Sequence, residues 1–181
     1  MTSQGDIHTI GDQRLHLDSG DQALVAHDSL HPSVSLLPPG AYQNLLVVSP
    51  RPASAVARQV TEAGGNLNRV GHLPLVSSEQ GYDGPMWTAP SVDPSDLTGL
   101  SMQYARALGG LTPEHGWVLF DDFNTLLAYN DADRVVKLLT HLTQQTSERE
   151  IRGVYTVVRD AMDDETFARL QNIVERDIDV R

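Results

Sequence analysis

Beyond Gln43 the chain alternates short, uninterrupted apolar runs with stretches whose apolar residues recur every three or four positions. Asn44 to Ser49 holds Leu45, Leu46, Val47 and Val48 in succession and is closed by Pro50, the pattern of a strand buried on both faces. Pro52 to Ala63 then predicts a helix with Val56, Val60 and Ala63 on one face and Gly64-Gly65 as its stop. Arg69 to Val76 predicts a strand that Pro74 pushes towards an edge or a bulge, and Met86 to Ala89 a further short one. Ser95 or Asp96 opens a helix striped by Leu97, Leu100, Tyr104 and Leu108, which Gly109-Gly110 ends. Trp117 to Phe120 is a second buried strand, running into Asp121 and Asp122.

Asn130 or Asp131 caps the next helix, with Val135, Leu138, Leu139 and Leu142 facing inward, and Val154 to Val158 is a third strand. Asp163, Asp164 and Glu165 place three carboxylates at a helix N-terminus, where the macrodipole favours them. Phe167, Leu170, Ile173 and Val174 supply that helix's core face, and Ile178 and Val180 suggest a last strand. Strands alternating with helices at this spacing predict an α/β fold, a three-layer and mostly parallel sheet flanked by helices, over residues 43–181. Residues 1–42 read differently. Met1 to Gly20 is polar and without period, Ala23 to His27 has room for a short strand, and three prolines between His31 and Gly40 mark a connector. This part is expected to form an N-terminal arm and connector, partly mobile.

Charge narrows the function classes. Seventeen Asp and seven Glu face twelve Arg and a single Lys, for a net charge of -11. A binder of phosphate backbones needs a basic face, so nucleic acid is not an expected partner, and neither is an anionic membrane. Acid in excess with lysine nearly absent matches a salt-adapted cytoplasm, where dense surface carboxylate keeps a protein soluble and salt screens its self-repulsion. Thermal stability is therefore expected to rise from dilute buffer to molar potassium chloride, and a melting temperature flat across that range would contradict the assignment. With no cysteine, disulfides, thiolate metal sites and thiol nucleophiles are excluded together. No apolar run approaches the ~18 residues of a membrane helix, and Met1 to Gly20 has no basic start or apolar centre, so a cytoplasmic location is expected.

Val118-Leu119-Phe120-Asp121 has the form of a Walker B strand, an apolar run ending in Asp. Asp121 to Asn130, the capped helix and strand that follow, Asp163 to Thr166, and upstream Val92 to Leu100 extend the likeness. Together these residues resemble the RecA/KaiC-like domains of archaea, a P-loop NTPase fold, and especially a haloarchaeal family of short members. The resemblance spans roughly Gln43 to Arg181 and is best after Val92. It implies a RecA/KaiC-like sheet, and in active members a first strand leading into a glycine-rich loop whose amides and lysine hold phosphates. Here the run Asn44 to Ser49, taken as that strand, leads into Ser49-Pro50-Arg51-Pro52-Ala53-Ser54, with neither glycine nor lysine. Pro50 and Pro52 remove two amide donors, and the only lysine, Lys137, lies well downstream. The chain therefore reads as a degenerate member without Walker A, a pseudo-ATPase with no catalytic residue and no cofactor.

Asp121 and Asp122 fall at the carboxyl end of a central strand, where open α/β sheets form their ligand crevice, and the same edge should gather Ser49, Arg51 and Arg159. These five are the candidate ligand-binding residues. A phospho-receiver is rejected because the only lysine after Asp122 lies within a helix. The seven histidines form no HExxH and no tight cluster with carboxylates, so no metal is expected, and no Gly-x-Ser-x-Gly elbow marks a hydrolase. Tyr82, Met86 and Trp87, in a stretch flanked by Gly81, Gly84, Pro85 and Pro90, are the candidate protein-interaction residues. The expected function is a non-catalytic regulatory or scaffold role, through a protein partner or homo-oligomer, in archaeal signalling, motility or cell-shape control. Nucleotide binding is not expected. The rival is a nucleotide sensor or weak ATPase using an atypical phosphate site at Ser49, Arg51 and Asp121.

Overall fold

The computed structural model describes residues 15–28, 32–78 and 81–181. Its strands are Gln22–His27 (β1), Leu45–Ser49 (β2), Val70–Pro74 (β3), Trp87–Thr88 (β4), Trp117–Phe120 (β5), Arg152–Val158 (β6) and Arg176–Asp179 (β7). They form one sheet in the order β4-β3-β2-β5-β6-β1-β7, and every pairing is parallel. The helices are Ala53–Glu62 (α1), Leu97–Leu108 (α2), Asn124–Tyr129 (α3), Ala132–Glu148 (α4) and Asp164–Gln171 (α5).

Strand alternation divides the interior in two. Leu46, Val48, Val118, Phe120 and Tyr155 meet Leu100 and Tyr104 of α2, Leu139 and Leu142 of α4, and Leu170 of α5. The intervening Val25, Leu45, Val47, Leu119 and Val154 pack on the other face under Val56 and Val60 of α1. Val34, Leu37, Ala41 and Tyr42, from the short 3-10 helices Ser33–Leu36 and Pro39–Gln43 and between them, complete that second layer. Because both faces are covered, the central strands can be apolar throughout, and each fully buried Leu or Val contributes about 1.5–3 kcal/mol. The expected three-layer α/β architecture is the one observed.

Three helix starts follow the sequence reading closely. Asp96 accepts from Gly99 N at 2.9 Å, Asp131 from Arg134 N at 3.0 Å and Asp163 from Thr166 N at 2.7 Å. Each cap is worth roughly 1 kcal/mol. Pro74 closes β3 at a point where β4, paired only through Gly71 and His72, has already ended, so no ladder donor is missed on that side.

The domain boundary expected at Gln43 does not hold. β1 lies between β6 and β7, in register from Gln22 opposite Gly153 to His27 opposite Val158, and all six of its residues are buried. The segment read as arm and connector thus supplies an interior strand and part of one helical layer. Met1 to Arg14, the larger part of the expected arm, lies outside the described residues.

Candidate functional site

Parallel pairing brings the carboxyl ends of the strands to one edge. The helices that follow β2 and β5, two neighbouring strands, lie on opposite faces: α1 on one, α4 on the other. An open sheet offers its crevice at such a reversal, here between Ser49 and Asp121.

A carboxylate with its own partners fills that position. Asp121 is only 3% exposed. Ser33 Oγ donates to its Oδ1 at 2.8 Å, Ser49 Oγ donates to its Oδ2 at 3.0 Å, and Arg51 Nε donates to the same Oδ2 at 3.1 Å. Ser49 Oγ also accepts from Arg51 N at 3.1 Å, fixing the turn that aims the guanidinium inward. Behind this group Thr156 Oγ1 lies 3.4 Å from Ser33 Oγ and accepts from Asp122 N at 2.8 Å. The carboxylate ties its own segment to those of Ser33 and Ser49–Arg51, and Thr156 of β6 joins through Ser33 and the Asp122 amide.

Asp122 takes a left-handed backbone with φ of 63°, which a short polar side chain tolerates better than most. Burial, and then the neighbouring Asp121 charge, push its carboxyl above the usual range, while Thr125 and His27 act the other way. Its Oδ1 is buried and meets no hydrogen-bond partner among the described residues. His27 and His72 also belong to this edge. Burial lowers the His27 ring below its ordinary value, against the pull of Asp121, Asp122 and Asp28. His72 is completely buried, and burial brings it down to about 4. The Ser49 carbonyl and the Asp121 charge favour its protonated form, but that carbonyl already accepts from Leu75 N, and neither ring nitrogen makes a full hydrogen bond among the described residues.

The structure therefore brings together Ser49, Arg51 and Asp121, with Asp122 beside them. It does not bring in Arg159. That guanidinium is engaged by Asp164, by the Met162 carbonyl at 3.0 Å and by the face of Phe167 at 4.3 Å. Ser33, Thr156, His27 and His72 were not singled out as members of the site by the sequence. Ser33 follows Pro32 in a proline-marked connector, and only the long return from β1 to β2 carries it to Asp121. The other three sit inside strand runs, where only register shows which edge they reach.

Among the interaction candidates, Met86 is corrected to the core, 3% exposed, and its N–H donates to Tyr82 Oη at 3.3 Å. Tyr82 is half-buried against the α1-side core. Trp87 alone stands out, 52% exposed, with its ring lying over Gly71, where an added Cβ would sit 2.9 Å from Cε3.

Residues 24–180 match a family of unknown function. The chain belongs to that family, DUF7504. No curated protein is significantly similar to it in sequence. Among solved structures, a Pyrococcus horikoshii OT3 protein described as project PH0250 superposes with a TM-score of 0.61 at 11% identity, covering 91% of this chain and 84% of its own. The KaiC-like protein PH0186 of the same hyperthermophilic archaeon superposes with a TM-score of 0.58 at 11% identity, covering 90% and 74%. The DUF7504 chain therefore has a KaiC-like, RecA-type fold.

That fold relocates one expectation. The first strand of the sheet is β1, not β2, so the residues that the resemblance sets against phosphates are those after His27 rather than those after Ser49. The sequence there, Asp28-Ser29-Leu30-His31-Pro32, also has no glycine and no lysine. A magnesium ion, which the fold family implies at the Walker B-like Asp, does not fit Asp121 as arranged. Both carboxylate oxygens accept protein hydrogen bonds, and a guanidinium nitrogen stands 3.1 Å from Oδ2 where a second cation would have to approach. Among the described residues no group of three or more His, Asp or Glu could hold a metal ion, and no helix is long and apolar enough to cross a membrane.

Proposed function

We propose that this chain is a non-catalytic KaiC-like domain, a pseudo-ATPase that works as a regulatory or scaffold protein by binding other proteins in a salt-adapted archaeal cytoplasm, in signalling, motility or cell-shape control. One observation carries the non-catalytic part: the side chain in the Walker B-like position is turned inward and satisfied by Ser33, Ser49 and Arg51. Phosphoryl transfer depends on cations and amides arranged around the β and γ phosphates, and Asp121, the carboxylate in the place where a metal would supply much of that charge, is already occupied by protein donors. An Asp–Arg–Ser–Ser cluster instead ties the crevice shut and makes the strand ends a structural junction. The regulatory setting rests on the resemblance, and the binding role on a fold that keeps its surfaces when its phosphate site is gone.

Thermal unfolding in molar salt with ATP, GTP and magnesium tests the reading, alongside a phosphate-release assay. A ligand at a hundredfold excess over its dissociation constant would stabilise the fold by ~2.7 kcal/mol. No turnover is expected with either nucleotide, and no magnesium-dependent shift that Arg51→Ala or Asp121→Asn removes. Magnesium-dependent turnover, lost on Arg51→Ala or Asp121→Asn, would make the chain an atypical ATPase instead.

A further inference from the structure

At the opposite edge from Asp121, where β2 and β3 begin and α2 ends, lies a groove of about 370 Å³. Its volume falls in the ~300–1,000 Å³ range of small-molecule sites. Leu46 and Leu111 give it apolar walls, Trp87 contributes an aromatic one, and Asn68, Arg69 and Arg106 bring its polar groups. We propose that this groove binds a planar aromatic anion: a ring that stacks on Trp87 and carries a carboxylate or phosphate to Arg69 and Arg106.

The charge of the lining carries the argument. The chain has 24 acidic residues against 13 Lys and Arg, yet the groove is lined by two arginines and by no carboxylate. Neither Arg69 nor Arg106 makes an ion pair among the described residues; Arg58, Arg134, Arg149 and Arg152 share that lack, but only Arg69 and Arg106 line this groove. Arg106 has a partial structural reason to be where it is, since the last turn of α2 favours a cation. Arg69 also ends a helix, but the 3-10 helix Leu67–Arg69 that leads into β3 is only three residues long and sums to little dipole. Guanidinium groups are suited to oxyanions because they present paired donors in one plane.

Trp87 supplies the aromatic surface. Its indole is fixed against Gly71, the one residue type that leaves room for it, and half of the residue remains open. A held but uncovered indole loses little conformational freedom when a ring stacks on it. A cationic ring would be repelled by the two arginines, and a ring without charge would leave them unused. The site is independent of whether the Asp121 crevice is catalytic, because it shares no residue with it.

Indole N–H resonances of the full chain read the proposal directly. Trp117, 6% exposed, is the internal control, and Trp87→Phe assigns the two signals. Salicylate and AMP serve as the carboxylate and phosphate probes, salicylamide and adenosine as their uncharged counterparts, and acetate as an anion without a ring. One of the two aromatic anions is expected to move the Trp87 signal with a dissociation constant below ~1 mM, about tenfold tighter than its uncharged counterpart, with acetate silent. Whichever anion binds tells carboxylate from phosphate. Arg69→Gln should weaken that binding by about fivefold with the melting temperature unchanged, since the side chain is exposed and unpaired. Gly71→Ala, which displaces the indole, should weaken it as well. No movement with either anion at about 5 mM, equal affinity for charged and uncharged rings, or full affinity in Arg69→Gln would overturn the proposal.

Discussion

Replacing Asp121 by alanine is expected to lower stability by about 3 kcal/mol, and the melting temperature by roughly 10 °C for a chain of this length. The loss comes chiefly from the partners left behind. Ser33 and Ser49 are themselves buried, and each hydroxyl would lose the carboxylate that accepts its proton, at about 1–3 kcal/mol for an unsatisfied buried group. Arg51 adds little, because its side chain is 43% exposed and water can take over its solvation. Asp121→Asn, which keeps one acceptor oxygen and the same shape, should lose a smaller part. Urea unfolding of the two variants, run in the same molar salt, checks both the size and the order. If alanine costs under about 1 kcal/mol, the carboxylate is not the junction described here, and an exposed, ligand-facing Asp121 becomes the better account.

The site was half legible in the sequence, for a reason that the strands make plain. Asp121 announces itself because it ends an unbroken apolar run, and Ser49 because it ends another. Parallel pairing then leaves little choice about which edge they share. Ser33 has no such signal. It lies twelve residues before Leu45, where the run ending in Ser49 begins, among prolines, and reaches Asp121 only because β1 enters the sheet on the far side of β6, so that its connection to β2 must cross the ends of β5 and β6. β1 itself was underestimated for a related reason. Its apolar centre is four residues long, flanked by Gln22 and His27, and Gln22 is buried only because its amide bonds Gly20 O, Ile151 O and Tyr155 Oη at 3.0, 2.9 and 2.7 Å. Local pattern cannot show that a polar residue has two distant partners. The amphipathic helices needed no such help. α2, α4 and α5 each carry their stripe and their Asp cap in contiguous sequence.

Acidification should expose the second large effect, through His72. The ordinary imidazole value is 6.5 and burial holds this one at about 4, so the folded state binds a proton less readily than the unfolded chain. Its contribution is fully present above pH 6.5 and is lost as pH falls towards about 4, by which point it amounts to about 3 kcal/mol. His27 is shifted the same way and adds to the loss, whereas Asp122, shifted upward, regains stability as it takes up its proton in the acid range above 3.8. The single-site test therefore compares slopes. His72→Leu fills the position between Val47 and Thr88 with an apolar side chain, removes two buried nitrogens that lack hydrogen bonds, and should be at least as stable as the parent at pH 7.5. Between that pH and 4 it should lose about 3 kcal/mol less than the parent. Parallel curves for His72→Leu and the parent would mean that the ring meets its proton in an environment closer to water, and that the polar edge around Ser49 and Asp121 opens in solution.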